Sequence, residues 1–112
     1  MKIYHNPRCS KSREALKIIE SKNIKFEVIE YLKKPINKLE LHRILKLLNI
    51  SAFELIRKNE SIYKEKYKEA DFSNDQWVDV ICSNPVLMER PIILKDNQAI
   101  IGRPPEKVLN LL

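Results

Sequence analysis

Glycine and cysteine are scarce in this sequence of 112 residues, which contains one glycine and two cysteines. Two cysteines argue against the disulfide framework of a small secreted scaffold, so Cys9 and Cys82 are expected to be reduced thiols. The apolar runs are far too short to cross a bilayer. Met1 leads directly into ordered-looking sequence, which leaves no room for a signal peptide. We therefore expect a cytoplasmic protein without a membrane partner.

Closely spaced metal-ligand pairs are also missing. The side chains that could bind a metal are His5, Cys9, His42 and Cys82, and their spacing matches no zinc motif. We expect no metal site and no bound cofactor, and we interpret Cys82 as a small apolar residue.

The net charge of +6 is compatible with nucleic acid, an acidic partner or an anionic small molecule. Much of the lysine alternates with glutamate, as in YKEKYKEA, which is typical of a solvated helix face. No basic motif is interleaved with aromatic residues, so no nucleic-acid partner is expected.

The first thirty residues predict a βαβ unit. KIYH at 2–5 is a short β-type run that ends at the Asn6-Pro7 turn, and an apolar stripe predicts a helix over about 10–22. FEVIEY at 26–31 predicts a second strand, which should be parallel to the first.

The middle of the chain is predicted to be helical. Capping signals mark three helix starts, at Asn37 with Glu40, Ser51 with Glu54, and Ser73 with Gln76. The large apolar side chains expected in the core of this region are Phe53, Trp77 and Met88.

The last part of the chain predicts a hairpin and a final helix. RPIILK at 90–95 and QAIIG at 98–102 are joined by a tight turn, so they should pair antiparallel. Two prolines then suit the opening of the helix EKVLNLL. The complete order predicts an α/β fold that is thioredoxin-like by analogy (β-α-β, then β-hairpin-α), with a helical insert at about 36–84, in a single domain over 1–112.

Cys9 is the candidate nucleophile. It precedes the first predicted helix, where free N–H groups and the positive dipole end favour an anion, either a thiolate or a bound oxyanion. Arg8, Lys11 and Arg13 add positive charge, and His5 could act as a cation or as a hydrogen-bond donor. These features predict a lowered pKa for the Cys9 thiol. The alternative is an unreactive cysteine that is buried or caps the helix.

Three arginines, Arg57, Arg90 and Arg103, lie on separate predicted elements. Guanidinium groups are well shaped to hold a tetrahedral oxyanion, but each of these residues could also be an ordinary surface arginine. Spacing alone does not bring them together. Pro91, at the head of an apolar strand, is a candidate cis-proline.

Read together, the segments YHNPRCSKSR, LIRKNE, NPVLMERPII and IGRPPEKVL resemble the arsenate reductase family that uses glutathione and glutaredoxin, in its short branch related to Spx-like proteins. The C-x-x-S-R motif of that family falls on Cys9, Ser12 and Arg13, and the His and Asn that precede it fall on His5 and Asn6. The resemblance implies that Cys9 is the nucleophile and that His5 helps to keep it ionised.

The same resemblance implies that Arg57, Arg90 and Arg103 hold arsenate and then arsenite, and that Pro91 is a cis-proline. The implied reaction passes through a cysteine–arsenic adduct, with glutathione as cosubstrate and glutaredoxin as partner. Because Ser12 replaces a second local thiol, the resolving sulfur must come from outside the chain.

Two alternatives remain open. The same site could serve a glutathione-dependent thiol or disulfide oxidoreductase, in which the arginines bind glutathione carboxylates. A non-enzymatic, Spx-like regulator that binds RNA polymerase would sense redox state through C-x-x-C, and Ser12 argues against it because it removes that disulfide.

Overall fold

A four-stranded mixed sheet joins the two ends of the chain in the computed structural model, which describes all residues from Met1 to Leu112. The strands are β1 (Lys2–Tyr4), β2 (Glu27–Ile29), β3 (Ile92–Lys95) and β4 (Gln98–Ile101). Their order across the sheet is β2-β1-β3-β4. Strand β1 pairs parallel with β2 and antiparallel with β3, which makes the sheet mixed.

Helix α1 (Ser10–Glu20) connects β1 to β2 and confirms the predicted βαβ unit. Ala15 and Ile19 of this helix are fully buried, in a cluster that includes Ile3 of β1 and Ile93 of β3. The apolar face of α1 therefore covers the sheet, as the sequence pattern predicts.

Strands β3 and β4 form the predicted antiparallel hairpin, in which Ile92 pairs with Ile101. The two-residue turn between them places Asp96 at φ 56°. Asp adopts this left-handed conformation more readily than most residues other than glycine. The helix that follows, Pro105–Leu111, has 3₁₀ rather than α geometry, with a proline in its first turn.

The chain divides into two compact units, of which the first comprises Met1–Lys34 with Arg90–Leu112 and the second comprises Pro35–Glu89. The second unit is helical: α2 (Lys38–Leu48), α3 (Ala52–Leu55), a π-helical segment (Tyr63–Tyr67), α4 (Asn74–Ser83) and a 3₁₀ turn (Pro85–Leu87). The helical insert predicted at about 36–84 falls within it. The interpretation of 1–112 as one domain stays a prediction.

All three predicted capping signals are present. The side chain of Asn37 accepts a hydrogen bond from the backbone N–H of Glu40 at 2.8 Å. Complete capping boxes start the next two α-helices, at Ser51 with Glu54 and at Ser73 with Gln76. Each box satisfies two backbone N–H groups at a helix start, which is why local sequence locates these helices well.

The element order and the mixed sheet confirm the predicted α/β, thioredoxin-like fold class. Trp77 and Met88 are buried as expected, but the prediction that Phe53 belongs to the core is wrong because its side chain is 38% exposed. The backbone has two cis peptide bonds, at Arg90–Pro91 and Arg103–Pro104, and the second of these was not predicted. No helix has both the length and the apolar character that a transmembrane span requires.

Candidate active site

Cys9 lies at the N-cap of α1, immediately before the first helical residue. The loop that leads to it folds back on Asn6, because the backbone N–H of Cys9 donates to the carbonyl oxygen of Asn6 at 3.0 Å. The Asn6 side chain accepts from the backbone N–H of Arg8, and the Arg13 guanidinium donates to the carbonyl oxygen of Pro7, both at 3.0 Å. Asn6 and Arg13 thus shape the loop that presents the thiol.

The Cys9 thiol is free and 8% exposed. Burial raises its pKa, but the backbone N–H of Ser12, the guanidinium of Arg90 and the backbone N–H of Lys11 together lower that pKa by more. The net result is a pKa below the ordinary value for a thiol, which is the direction that the sequence predicts. A thiolate at the start of α1 is stabilised by the first free N–H groups of the helix.

Two of the cations beside Cys9 in the sequence have partners other than the thiol. The Lys11 ammonium lies 3.7 Å from the Glu14 carboxylate, and the Arg13 guanidinium bonds to the loop backbone. The groups that lower the pKa of Cys9 are the backbone N–H groups of Ser12 and Lys11 and the guanidinium of Arg90, from a distant part of the chain. A contribution from the positive charge of Arg8, Lys11 and Arg13 stays a prediction.

The hairpin brings two arginines to Cys9. Arg90 precedes β3 and Arg103 follows β4, so antiparallel pairing of these strands places the two residues at the same end of the hairpin. Nη1 of Arg103 lies 3.7 Å from Sγ of Cys9 and also donates to the carbonyl oxygen of Arg90 at 3.3 Å. The side chain of Arg90 donates a hydrogen bond to the Cys9 sulfur. Two guanidinium groups therefore face one thiol.

The peptide bond between Arg90 and Pro91 is cis, as the sequence analysis suggests. The carbonyl oxygen of Pro91 accepts a hydrogen bond from the backbone N–H of Gly102 at 2.9 Å. This bond ties the residue after Arg90 to the residue before Arg103, so the backbone holds the two arginines side by side.

His5 reaches Ser12 and not the thiol. Its Nδ1 atom lies 2.6 Å from the Ser12 hydroxyl oxygen, and that oxygen accepts a hydrogen bond from the backbone N–H of Asn6 at 3.0 Å. Burial lowers the pKa of His5, and Arg13 lowers it further, while Glu30 raises it. Of the two roles left open for His5, cation or hydrogen-bonding group, the second fits this environment, because burial disfavours the charged ring and Nδ1 lies against the Ser12 hydroxyl.

Arg57 belongs to the second unit. Its Nε atom lies 3.3 Å from a Glu60 carboxylate oxygen and its Nη1 atom lies 3.5 Å from a Glu89 carboxylate oxygen, and its side chain is 19% exposed. These two acidic neighbours were not predicted, although the sequence shows one of them, Glu60, three residues after Arg57. The convergence of Arg57 with the other two arginines stays a prediction.

The other cysteine has a different environment. Cys82 lies partly buried on α4, and burial, with a contribution from Asp79, raises the pKa of its thiol. This environment favours the uncharged thiol, as expected of an apolar residue. No three His, Cys, Asp or Glu side chains anywhere in the chain are placed to hold a metal ion.

The chain is similar to proteins named for arsenate reduction. The ArsC family profile matches residues 4–111. "Uncharacterized protein YfgD" of Escherichia coli (strain K12) is 44% identical, with 100% of this chain and 96% of that protein covered. "Arsenate reductase" of Neisseria meningitidis serogroup B is 41% identical, with 96% of this chain and 94% of that protein covered.

A solved structure agrees with these sequence matches. The structure titled arsenate reductase from Vibrio cholerae superposes with a TM-score of 0.93 at 40% identity, covering 100% of this chain and 98% of that chain. Sequence and structure thus match along nearly the whole length, and the chain belongs to the ArsC family.

Proposed function

We propose that this protein is an arsenate reductase that uses glutathione and glutaredoxin. The observation that carries the proposal is the pairing of Cys9 with Arg90 and Arg103 at the start of α1. The lowered pKa supplies a thiolate, and two guanidinium groups supply the positive charge that a tetrahedral oxyanion requires. Relatives about 40% identical to this chain are named arsenate reductases, which supports arsenate as the oxyanion.

In the first proposed step, the Cys9 thiolate attacks the arsenic atom of arsenate and one oxygen leaves as water after protonation. Arg90 and Arg103 offset the negative charge on the remaining oxygens, and they are positioned before the reaction begins. The resemblance adds Arg57 as a third substrate-binding residue.

In the second step, the thiol sulfur of glutathione attacks the Cys9 sulfur of the adduct. The sulfur–arsenic bond breaks, its electron pair stays on arsenic, and arsenite leaves. A thiolate of glutaredoxin then attacks the glutathione sulfur of the mixed disulfide and releases Cys9. The two thiols supply the two electrons that the reduction of arsenic requires.

Ser12 supports an external electron donor. Its hydroxyl oxygen occupies the position of a second thiol in C-x-x-C proteins, and it is engaged by His5 and by the Asn6 backbone. Because this position holds no second thiol, we expect the resolving sulfur to come from another molecule. Reduced glutathione and glutaredoxin supply such thiols in the cytoplasm, where we place the reaction.

A coupled assay tests this proposal. With arsenate, glutathione, glutaredoxin and glutathione reductase present, we expect arsenate-dependent consumption of NADPH that disappears in Cys9→Ser and persists in Cys82→Ser. Arg103→Gln is expected to lower kcat/KM for arsenate by about 10²-fold, the usual effect of removing one preorganised donor from a charged transition state.

A glutathione-dependent thiol or disulfide oxidoreductase is the second candidate. It is favoured by the same two guanidinium groups, since they would hold a glutathione carboxylate as readily as an arsenate oxygen. If arsenate causes no NADPH consumption while a glutathione mixed disulfide is reduced briskly, this second candidate replaces the first. The Spx-like role is the weakest because Ser12 leaves no C-x-x-C disulfide.

A further inference from the structure

Aromatic side chains are concentrated in the second unit. Five of the eight aromatic residues of the chain (four Tyr, three Phe and one Trp) form one cluster: Phe53, Tyr63, Tyr67, Phe72 and Trp77. Trp77 is central, because all four other rings lie within 6.4 Å of its ring centroid. The proposed reduction at Cys9 uses none of these residues.

A cavity of about 380 Å³ opens beside this cluster. Its aromatic walls are Phe53, Phe72 and Trp77, and the centroids of the two phenylalanine rings lie 5.2 and 5.0 Å from that of Trp77. Trp77 is only 5% exposed, whereas the two phenylalanines are 38% and 37% exposed. The cavity therefore has a buried indole and two rings that are open to solvent, and its volume is within the range of small-molecule sites.

Asp71 is the only charged residue that lines this cavity. The two polar uncharged side chains of the lining already make hydrogen bonds at the start of α3. Ser51 belongs to a capping box, and the Asn74 side chain accepts from the backbone N–H of Ala52 at 2.8 Å. The cavity thus offers a ligand aromatic faces and one carboxylate.

The aromatic cluster already binds one cation. The Lys58 ammonium lies 4.2 Å from the centroid of the Phe53 ring and donates to the carbonyl oxygen of Phe53 at 3.3 Å. Aromatic faces attract cations through their quadrupole, and such cages recognise quaternary ammonium groups. With Lys58 already on Phe53, a ligand cation is expected to contact Phe72 and Trp77 and to face Asp71.

We propose that the cavity formed by Phe53, Phe72 and Trp77 is a binding site for a small quaternary ammonium compound, with Asp71 as its counter-ion. The proposal depends on the geometry of the second unit and does not depend on the reaction proposed at Cys9. It requires that the positive charge of the ligand, and not its apolar surface alone, contributes to affinity.

Two probes separate these contributions. Choline carries the charge, and 3,3-dimethylbutan-1-ol is its neutral carbon isostere. Trp77 is the only tryptophan of the chain, so its fluorescence reports on this cavity, with sodium chloride at equal concentration as the control for ionic strength. Saturation-transfer NMR on each probe gives a second measure of binding. We expect choline to bind at least about fivefold more tightly than the neutral isostere.

Three variants test the residues. Phe72→Leu keeps an apolar wall without a quadrupole, and Asp71→Asn removes the counter-ion, so each should weaken choline about threefold or more while changing the neutral isostere by less than twofold. Lys58→Gln removes a competing cation and should strengthen choline binding. Lys33→Gln, a lysine of the first unit, is the matched control and should change nothing.

Equal affinity for the two probes would show that the positive charge does not contribute to binding, and it would overturn the proposal. Absence of choline binding by both fluorescence and NMR would overturn it as well. So would choline affinity that is unchanged in both Asp71→Asn and Phe72→Leu, because the charge would then be recognised elsewhere.

Discussion

Gly102 is the only glycine of the chain, and we expect its replacement by alanine to destabilise the protein. Its backbone φ is not in the left-handed region, so alanine is not strained there by conformation. The cost arises from space: an added Cβ would lie 3.0 Å from Cδ1 of Ile93, 3.0 Å from Cγ of Pro91 and 3.6 Å from Cβ of Ala15. Two of these neighbours would have to move by a few tenths of an ångström.

Two opposing contributions determine the magnitude. Overpacking in a buried site costs about 1–3 kcal/mol. Gly→Ala at an unstrained position also stabilises by about 0.4–1 kcal/mol, because the unfolded chain loses conformational freedom. Pro91 is rigid and its carbonyl is bonded to the Gly102 N–H, so we expect the packing cost to dominate. The expected net loss is about 1–2 kcal/mol, or a fall in Tm of roughly 4–8 °C.

Thermal and urea unfolding followed by circular dichroism measure this loss. Gly102→Val should cost more than Gly102→Ala because it adds two further methyl groups. Gln98→Ala, at the exposed start of the preceding strand β4, is the control and should lie within about 0.5 kcal/mol of the unaltered protein. A Gly102→Ala protein with an equal or higher Tm would refute the reasoning. It would mean that Pro91 and Ile93 can move away from the added methyl group without a loss of folding free energy.

Three other perturbations have expected outcomes. Arg90→Gln should raise the pKa of Cys9 and therefore slow the alkylation of Cys9 by iodoacetamide at pH 6.5. Arg13→Gln, the control, should leave the alkylation rate unchanged. Equal alkylation rates in the two variants would contradict the role given to Arg90. Burial lowers the pKa of His5, so the His5 ring binds a proton less readily in the folded protein than in the unfolded chain. The free energy of unfolding should therefore decrease as the pH falls below 6.5. Urea unfolding between pH 5 and 7.5 should show a smaller decrease for His5→Gln, and an unchanged slope would argue against a buried neutral imidazole. Ser73→Ala should lower the free energy of unfolding by about 1 kcal/mol through loss of a capping box, as measured by the urea midpoint.

Local signals predicted the elements of the fold well. The capping pairs at Asn37, Ser51 and Ser73 are confirmed because a cap depends on residues three positions apart, which sequence displays directly. The hairpin is confirmed for a similar reason, since a two-residue turn fixes which strand positions pair. The 3₁₀ geometry of Pro105–Leu111 was not predicted, because apolar spacing in so short a segment does not distinguish helix types.

The candidate site was predictable in its residue types and less so in its contacts. The sequence placed Cys9 at a helix start and offered Arg90 and Arg103 as candidate oxyanion-binding residues, but only the resemblance brought those two arginines together. It assigned the charge beside the thiol to Arg8, Lys11 and Arg13, because these are neighbours along the chain. Long side chains at a helix start diverge, however, and two of those three are engaged by Glu14 and by the Pro7 carbonyl.

The sequence by itself determined that Cys9 would meet the free N–H groups of α1, since a strand, a turn and a helix follow one another within twenty residues. Only the tertiary structure decided which cations reach the thiol. Arg90 and Arg103 approach Cys9 because β3 pairs with both β1 and β4, and that pairing brings the ends of the hairpin to the start of α1. Contacts between residues so far apart depend on closure of the whole sheet, which no local pattern encodes.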